Sequence, residues 1–439
     1  MPSVNQTTLS FTGDAFKLFH TFKDQPHVFF LDSSLHRSPK QFSYIGFDPI
    51  TTIKGGDLDG FKKVFEKYRL RKQKLSFPAG AVGYLGYDGS LFFGLYDTIL
   101  AIDHQKNQLI ISSFSESRIK DIVKQLCVFS GDRRRGIPSE RRLLQVRWGN
   151  LRAGPEKLPL VFKSNFTKAG YMKAVRQALE HIRRGDIYQI NLSHQIKVNI
   201  PQWQKYTQAP AIYKNLRHAF PSEFGAYLDD GKQMILSASP ERFLKLHDGK
   251  IQVKPMKGTR PRGETVIQDK RLKEELLKSP KEIAELLMVT DLERNDLGRV
   301  CAYASVKVKA MRTIERYASV FQATSTIEGQ LRKGFDQFDL LQATFPSGSV
   351  TGCPKIEAMK IIKQLEHGPR GLYTGALGYM SFSGDMDFNV MIRTMFLNKD
   401  QISFHVGGGI VADSKPSDEW QETWDKAKPL IETLERSFS

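Results

Sequence analysis

YQINLSHQIKVNI, residues 188–200, alternates bulky and polar side chains along its whole length. The even positions carry Tyr, Ile, Leu, His, Ile, Val and Ile, whereas the odd positions carry Gln, Asn, Ser, Gln, Lys and Asn. Because successive side chains of a strand point to opposite faces, this pattern predicts a strand with one buried face and one polar face. The strand therefore belongs to a sheet that covers a core on one side.

A helix is predicted directly before this strand. Tyr171, Val175 and Ile182 fall on one face of that helix. Gly185 then supplies the residue type that commonly ends a helix. Further strands are predicted at residues 250–254, 375–382, 387–396 and 401–406, and further helices near 280–290, 354–366 and 417–435. Strands interspersed with helices in this way indicate the α+β fold class.

The chain upstream of these elements has a different sequence pattern. Short apolar runs there alternate with glycine-containing turns, as in GAVGYLGY at residues 80–87, which is typical of a β-rich region. Residues 130–159 are rich in Arg, Gly and Pro and lack apolar periodicity, which indicates a connection between two parts. We therefore predict an amino-terminal region at 1–130, a basic connection at 131–164 and a catalytic domain at 165–436.

The net charge of +18, from 65 Lys and Arg against 47 Asp and Glu, favours anionic partners in general. A basic nucleic-acid-binding protein is therefore the alternative from another class. However, the basic residues are dense only at 133–142, and no recognition helix or aromatic RNA-binding signature accompanies them. We interpret the excess charge as solvated surface and predict that nucleic acid is not a partner.

The three cysteines, Cys127, Cys301 and Cys353, are far apart and odd in number. They indicate neither a disulfide framework nor a metal knuckle, and a reducing cytoplasm fits them best. No apolar run approaches the ~18 residues of a membrane span, and the N-terminus lacks the apolar core of a signal peptide. We therefore expect a cytoplasmic protein that does not associate with membranes.

Two predicted helices each carry glutamates three positions apart, namely Glu282 with Glu285 and Glu419 with Glu422. Side chains at this spacing share one helix face. If the two faces met, their hard oxygen ligands would suit Mg²⁺ bound to a substrate carboxylate. Simpler interpretations remain open, because Ser279 with Glu282 forms a capping-box pattern and Glu422 with Lys426 forms an ordinary surface pair.

Two glycine-rich segments could hold an anion. PSGSVTGCPKIEAMKII, residues 346–362, is a turn that enters a helix at Pro354, where free amides could bind an anion. HVGGGIVADS, residues 405–414, places three glycines after a strand, where backbone N–H groups could approach a carboxylate. Either segment could equally be a plain structural turn. Lys257, Glu241 and Arg393 are ambiguous when each is considered alone.

Together these segments resemble a known family. The motifs are YQINLS (188–193), SPERF (239–243), PMKGTRPRG (255–263), AELLMVTDLERNDLGRVC (284–301), PSGSVTGCPK (346–355), GLYTGALGY (371–379), IRT (392–394), GGGIVADS (407–414) and EWQET (419–423). In order and spacing they are similar to the chorismate-binding domain shared by anthranilate, aminodeoxychorismate, isochorismate and salicylate synthases. FFLDSS (29–34), YIGFDP (44–49) and GAVGYLGYD (80–88) resemble the amino-terminal region of the members that add an amino group.

The resemblance implies two β-sheets packed face to face and flanked by helices, in a single two-lobed body with chorismate between the sheets. It implies Glu285 and Glu422 as principal Mg²⁺ ligands and Glu282 and Glu419 as their helpers. Glu241 matches the acid that assists loss of the C4 hydroxyl. Positions near the substrate ring are Gly258 and Thr259, and those that hold substrate carboxylates are Tyr373, Arg393, Gly407, Gly409 and Lys426.

Three positions bear on which reaction the resemblance implies. Gln189 stands where the water-adding members carry a lysine that activates water, so ammonia is the expected nucleophile. Lys257 stands where anthranilate synthases usually have alanine, and aminodeoxychorismate synthases are thought to use this lysine as a covalent nucleophile at C2. Gln322 replaces a family histidine associated with pyruvate elimination. The resemblance thus favours amination at C4 without aromatisation, with anthranilate synthase component I as the alternative.

The source of ammonia is a further expectation. None of the three cysteines lies in a nucleophile elbow, and the resemblance leaves no segment over for an amidotransferase domain. We therefore expect a separate glutaminase subunit to supply ammonia to this chain.

Overall fold

The computed structural model describes residues 2–35, 42–55, 57–129, 160–200, 204–317 and 320–438. The predicted connection between the two parts lies almost entirely outside these residues, and the domain division stays a prediction. In the described part of the chain, Cys127, Cys301 and Cys353 form no disulfide. In the part of the chain that the structure covers, no helix is both long and apolar enough to cross a bilayer.

Strands account for most of the fold. In chain order they are β1 (Asn5–Ser10), β2 (Phe29–Asp32), β3 (Phe42–Gly46), β4 (Thr51–Gly55), β5 (Gly80–Leu85), β6 (Leu91–Tyr96), β7 (Thr98–Asp103), β8 (Gln108–Ser113), β9 (Lys163–Ser164), β10 (Gln189–Asn199), β11 (Phe224–Asp229), β12 (Gln233–Ser239), β13 (Arg242–His247), β14 (Lys250–Val253), β15 (Met256–Pro261), β16 (Lys307–Arg316), β17 (Val320–Gln330), β18 (Gly352–Cys353), β19 (Ala376–Ser381), β20 (Met386–Val390), β21 (Thr394–Asn398) and β22 (Gln401–Ile410).

Helices lie between groups of strands. They are α1 (Ala15–Phe22), α2 (Leu58–Phe65), α3 (Glu116–Phe129), α4 (Lys168–Arg184), α5 (Gln204–Ala219), α6 (Val266–Lys278), α7 (Pro280–Gly298), α8 (Gln337–Thr344), α9 (Lys355–Leu365) and α10 (Pro416–Ser437). As predicted, α4 ends at Gly185, whose φ of 81° is the left-handed conformation that glycine adopts without strain. The predicted start of α9 at Pro354 is also observed.

The strands form two antiparallel sheets. Within the described ranges, a twelve-stranded sheet has the order β1-β8-β7-β3-β2-β11-β12-β21-β22-β10-β18, with β9 beside β10. A ten-stranded sheet has the order β15-β17-β14-β13-β20-β19-β5-β6-β4, with β16 beside β17. Strands from before and after the undescribed connection pair with each other in both sheets, as β2 does with β11 and β5 with β19. Both parts of the chain therefore build one body.

The two sheets pack against each other through a layer of aromatic side chains. Tyr44 of the larger sheet and Tyr379 of the smaller one have ring centroids 5.5 Å apart, and Phe29 and Tyr96 have centroids 4.8 Å apart. Separate apolar clusters join the outer face of the larger sheet to α1, α3, α5 and α10, and that of the smaller sheet to α2 and α8. The α+β prediction of two sheets packed face to face and flanked by helices is confirmed.

The strand that decided the fold prediction is β10. Its even positions Ile190, Leu192 and Ile196 are buried as predicted. At the odd positions, Lys197 is exposed, whereas Gln189 is only 2% exposed. The polar face therefore points to water at one end of the strand and into the protein at the other.

Two details of the strand prediction were wrong. The predicted strand at 387–396 is divided, because β20 pairs in the smaller sheet and β21 in the larger one, and the chain crosses between them near Arg393. Gly407, Gly408 and Gly409 lie within β22 rather than after it, opposite residues of β10. A side-chain carbon at Gly407 would stand 2.5 Å from the Leu192 carbonyl oxygen, so this close pairing requires glycine.

Candidate active site

The two predicted pairs of glutamates come together between α7 and α10. Lys281, which the sequence analysis missed, joins them: its Nζ lies 4.0 Å from a carboxylate oxygen of Glu285 and 3.8 Å from one of Glu419. Its position four residues before Glu285 was a local signal of the first contact. Its contact with the second helix depends on tertiary structure.

Glycines of strand β22 lie next to these carboxylates. A side-chain carbon at Gly408 would stand 3.3 Å from an oxygen of Glu419 and 3.4 Å from one of Glu422. A carbon at Gly409 would stand 3.7 Å from an oxygen of Glu285. Three carboxylates thus converge on two adjacent glycines, whose lack of side chains leaves this space open.

The simpler interpretations of these glutamates also hold. The Ser279 hydroxyl accepts a hydrogen bond from the Glu282 N–H at 3.4 Å and caps α7. Lys426 Nζ donates to Glu422 at 2.6 Å and to the Gly407 carbonyl at 2.9 Å. Capping and ion pairing therefore orient these residues and do not exclude a role at the site.

Burial and like charge make the cluster costly without a cation. Burial raises the pKa of Glu285, and the neighbouring carboxylates of Glu282 and Glu422 raise it further against the opposing effect of nearby lysines. Burial likewise raises the pKa of Glu419, although a 2.6 Å hydrogen bond from Ser414 opposes the effect. Partial burial also disfavours the Glu422 carboxylate, but the Lys426 ammonium outweighs it and lowers that pKa.

These donors fit a hard divalent cation. Among the described residues, no three His, Cys, Asp or Glu side chains are close enough to form a complete metal cage. However, Mg²⁺ commonly uses only one or two protein carboxylates and completes its shell with water and substrate oxygens. The Lys281 ammonium already stands between the carboxylates of Glu285 and Glu419, which shows that this space attracts positive charge.

Lys257 and Glu241 meet at a single residue, Ser349. Lys257 Nζ donates to the Ser349 carbonyl oxygen at 3.0 Å, and the Ser349 hydroxyl donates to the Glu241 carboxylate. Glu241 is 4% exposed, and burial raises its pKa to about 7. Burial lowers the pKa of Lys257, although Glu285 and Glu241 oppose this effect. The lowered pKa of Lys257 favours the neutral amine, and the raised pKa of Glu241 favours the protonated carboxyl group.

A β-bulge aims the segment that carries Lys257. The pairing of β15 with β17 shifts register between Lys257 and Thr259, and Gly258 between them has a φ of 76°. A side-chain carbon at Gly258 would stand 2.6 Å from the Glu282 carboxylate, so only glycine fits there. Thr259 is exposed and lies opposite Gln322, which is 3% exposed.

Three buried amide oxygens have no hydrogen-bond partner in the described part of the chain. They are Oε1 of Gln189, Oδ1 of Asn191 and Oε1 of Gln322. A buried amide oxygen without a partner costs about 1–3 kcal/mol, so its position calls for an explanation. Gln189 lies beside Gly409 and hence beside the carboxylate cluster, since a carbon at Gly409 would approach its Nε2 to 2.5 Å.

Tyr373 and Arg393 each contact an aromatic ring. The Tyr373 ring stacks on His405 with centroids 4.8 Å apart, and the Arg393 guanidinium lies 5.1 Å from the centre of the Phe220 ring. Burial lowers the pKa of Arg393, and no carboxylate of the described residues forms an ion pair with it. Within the same residues, neither Tyr373 nor Arg393 hydrogen-bonds to the four glutamates. A partly buried cation without an anion is suited to an acidic ligand.

Comparison with known proteins agrees with this geometry. The sequence profile of chorismate binding enzymes matches residues 27–432. Anthranilate synthase component 1 of Aquifex aeolicus is 44% identical over 62% of this chain and 54% of that protein. Aminodeoxychorismate synthase component 1 of Bacillus subtilis is 32% identical over 90% of each chain.

A solved structure shares the fold. The crystal structure of anthranilate synthase component I from Streptococcus pneumoniae is 30% identical, covers 90% of this chain and 93% of that one, and superposes with a TM-score of 0.74. The profile covers most of the sequence, and relatives align over most of its length. The chain therefore belongs to the chorismate binding enzyme family and is an enzyme that acts on chorismate.

Proposed function

We propose that this enzyme converts chorismate and ammonia into 4-amino-4-deoxychorismate, as an aminodeoxychorismate synthase component I. The observation that carries the proposal is the shared contact of Lys257 and Glu241 with Ser349. A nucleophilic amine and a protonated acid are the two groups required to exchange a hydroxyl for an amine. In this site they are adjacent, and burial shifts both pKa values in the required direction.

The proposed reaction proceeds by two allylic displacements. The neutral Lys257 amine forms a bond to C2 of chorismate while the C4 hydroxyl leaves, and Glu241 gives that hydroxyl a proton so that it departs as water. Ammonia then forms a bond to C4, the bond between Lys257 and C2 breaks, and the double bonds return to their first arrangement. The surplus proton of the incoming ammonia restores Glu241. The balance is chorismate plus ammonia giving 4-amino-4-deoxychorismate plus water.

Substrate binding draws on the remaining predicted residues. Arg393, which forms no ion pair with a carboxylate of the described residues, would bind a substrate carboxylate, and Tyr373 would help to hold it. The backbone at Gly407 and Gly409, together with Lys426, would approach the other end of the substrate near the glutamates. Gly258 and Thr259 would border the ring.

Magnesium is part of the same proposal. Glu285 and Glu422 would hold Mg²⁺ with help from Glu282 and Glu419, and the ion would neutralise a substrate carboxylate when bound. Burial and neighbouring carboxylates raise the pKa of Glu285 and of Glu419, and a bound divalent cation would favour their charged forms.

The choice of product rests on individual residues. Gln189 cannot act as the base that a water-adding reaction needs, which favours ammonia as the nucleophile. Gln322 likewise lacks a titratable group for a later elimination, which favours release of a non-aromatic product. Anthranilate synthase component I is the alternative, and it predicts a fluorescent aromatic product instead.

A separate glutaminase subunit is the proposed ammonia source. The B. subtilis and A. aeolicus relatives are both named as component 1 of their enzymes, which supports a second component here. We expect activity with ammonium salts alone and none with glutamine until that subunit is added. Robust use of glutamine by the pure chain would contradict the expectation. Cytoplasmic location and the absence of nucleic-acid binding stay predictions.

One incubation tests the proposal. The protein is mixed with chorismate, MgCl₂ and ammonium chloride, and the products are separated and identified by mass spectrometry. We expect 4-amino-4-deoxychorismate from the native protein and much less from Lys257→Ala. Lys360→Ala is the matched control, because Lys360 is an exposed lysine whose ion pair among the described residues is with the nearby Glu357. Anthranilate as the main product would refute the proposal in favour of the alternative.

A further inference from the structure

A buried carboxylate outside the predicted site, Glu293, anchors the turn that carries Ser349. Glu293 lies on α7 and is only 1% exposed. One of its oxygens accepts hydrogen bonds from the Ser347 hydroxyl at 3.0 Å and from the Gly348 N–H at 2.9 Å. Carboxylates are seldom buried this deeply unless they are paired or hydrogen-bonded. The turn at residues 346–349 therefore depends on Glu293 for two hydrogen bonds.

This turn also contacts both reactive groups of the proposed function. The Ser349 carbonyl accepts from Lys257, and the Ser349 hydroxyl donates to Glu241. The Ser349 N–H donates to the Ser347 hydroxyl oxygen at 3.3 Å, and that hydroxyl in turn donates to Glu293. A continuous chain of hydrogen bonds thus runs from Glu293 to Lys257 and Glu241.

A second buried charge supports the turn from the opposite side. Lys355 Nζ donates to the carbonyl oxygen of Pro346 at 2.6 Å and to that of Thr344 at 3.1 Å, and it pairs with Asp296. Glu293 accepts hydrogen bonds from Ser347 and Gly348, whereas Lys355 donates hydrogen bonds to the carbonyl oxygens of Thr344 and Pro346. Because each charge meets backbone groups that a loose turn would leave unpaired, the two together restrict the turn to one arrangement.

We propose that Glu293 is a positioning residue that holds the 346–349 turn where Ser349 can contact Lys257 and Glu241 together. Its effect on turnover rests on the proposed function, whereas its effect on the geometry of Lys257 does not. In the described residues Glu293 forms no hydrogen bond or ion pair with Lys257 or Glu241. It therefore acts through the turn and not on the substrate.

Two substitutions at Glu293 separate its hydrogen bonds from its charge. Glu293→Gln keeps a carbonyl oxygen that can accept both hydrogen bonds, whereas Glu293→Met fills similar space with a flexible side chain that cannot. Loss of these buried hydrogen bonds should lower the turnover number of Glu293→Met about tenfold, with a much smaller change in KM for chorismate. Glu293→Gln should recover most of that loss.

A measurement that does not depend on turnover tests the surroundings of Lys257 directly. The rate at which acetic anhydride acetylates Lys257 is measured by mass spectrometry relative to the exposed Lys360. Release of the hydrogen bond to Ser349 should change this relative rate about threefold or more in Glu293→Met and little in Glu293→Gln. Asp291→Asn is the matched control, because it removes a charge from an exposed position of the same helix, two residues from Glu293.

A folded Glu293→Met variant with native turnover and native acetylation of Lys257 would overturn the proposal. If this variant does not fold, Ser347→Ala takes its place, because it removes one hydrogen bond to Glu293. An acetylation rate of Lys257 in Ser347→Ala equal to that in the native protein would then overturn the proposal. Failure of the native protein to make an aminated product would refute the proposed function instead, while the acetylation comparison would still decide the role of Glu293.

Discussion

Replacement of Glu241 by glutamine should make the protein more stable at neutral pH while nearly abolishing its activity. Burial raises the pKa of this carboxyl from its ordinary value of 4.5 to about 7. The folded state therefore binds the proton more tightly than the unfolded state does. Its contribution to stability is fully present below pH 4.5 and is lost as the pH rises to about 7.

The magnitude follows from the difference between those two pKa values. At about 1.36 kcal/mol for each pH unit, the buried carboxylate costs the native protein about 3 kcal/mol of unfolding free energy above pH 7. Glutamine has no such cost, because it does not ionise and can still accept the hydrogen bond from Ser349. Glu241→Gln should therefore be more stable than the native protein at pH 8, by an amount that shrinks towards pH 4.5.

Urea unfolding at several pH values between 4.5 and 8 measures this difference. Glu357→Gln serves as the control, because Glu357 is a half-exposed glutamate whose replacement should change the pH dependence little. The same Glu241→Gln preparation should lose at least about a hundredfold in chorismate turnover, the usual contribution of a general acid. Equal pH dependence of stability in the native and Glu241→Gln proteins would refute the argument, as would native turnover by the variant.

Three further outcomes are expected. Without ammonia, the native enzyme should accumulate a chorismate-derived adduct on Lys257, found by mass spectrometry of the digest; no adduct, together with native product formation by Lys257→Ala, would refute the covalent role of Lys257. Glu285→Gln or Glu422→Gln should weaken Mg²⁺ binding, seen as a smaller rise in melting temperature on titration with MgCl₂, and an unchanged rise with intact activity would contradict the metal assignment. Gln322→His should not make fluorescent anthranilate, because Lys257 still directs nitrogen to C4; fluorescence would show that this account of product control is wrong.

Local patterns predicted the elements but not every change of partner. The alternation in β10 is observed because its apolar residues are buried along the whole strand, Ile190 and Leu192 in one apolar cluster and Ile196 and Val198 in another. The division of the predicted strand at 387–396 left no such signal, since residues 390–391 before Arg393 and residues 395–396 after it are apolar and buried, although β20 and β21 pair in different sheets. Likewise, Gly407, Gly408 and Gly409 resemble a turn locally, and only the approach of β10 explains their place within a strand.

Local sequence patterns also left several contacts of the candidate site unpredicted. Helical spacing predicted that Glu282 and Glu285 share a face, but the distance from Lys281 to Glu419 depends on how α10 packs. Ser349 contacts Lys257 through its main-chain carbonyl, a group that every residue carries and that no side-chain pattern reveals. Glu293 was hidden for another reason, because it stands in a segment that also carries Asp291, Arg294 and Asp296, and only the folded structure shows that it is buried.

The interleaving of the two parts of the chain bears on how the protein folds during synthesis. β5 lies almost 300 residues before its partner β19, and β2 lies almost 200 residues before β11. Pairings at such separations make folding slow, because a long loop must close before any contact compensates for its lost entropy. One edge of β2 must therefore stay unpaired until the middle of the chain has been made, and one edge of β5 until the last quarter has been made. Such edges are prone to aggregate, and the nascent chain should depend on chaperones over this interval.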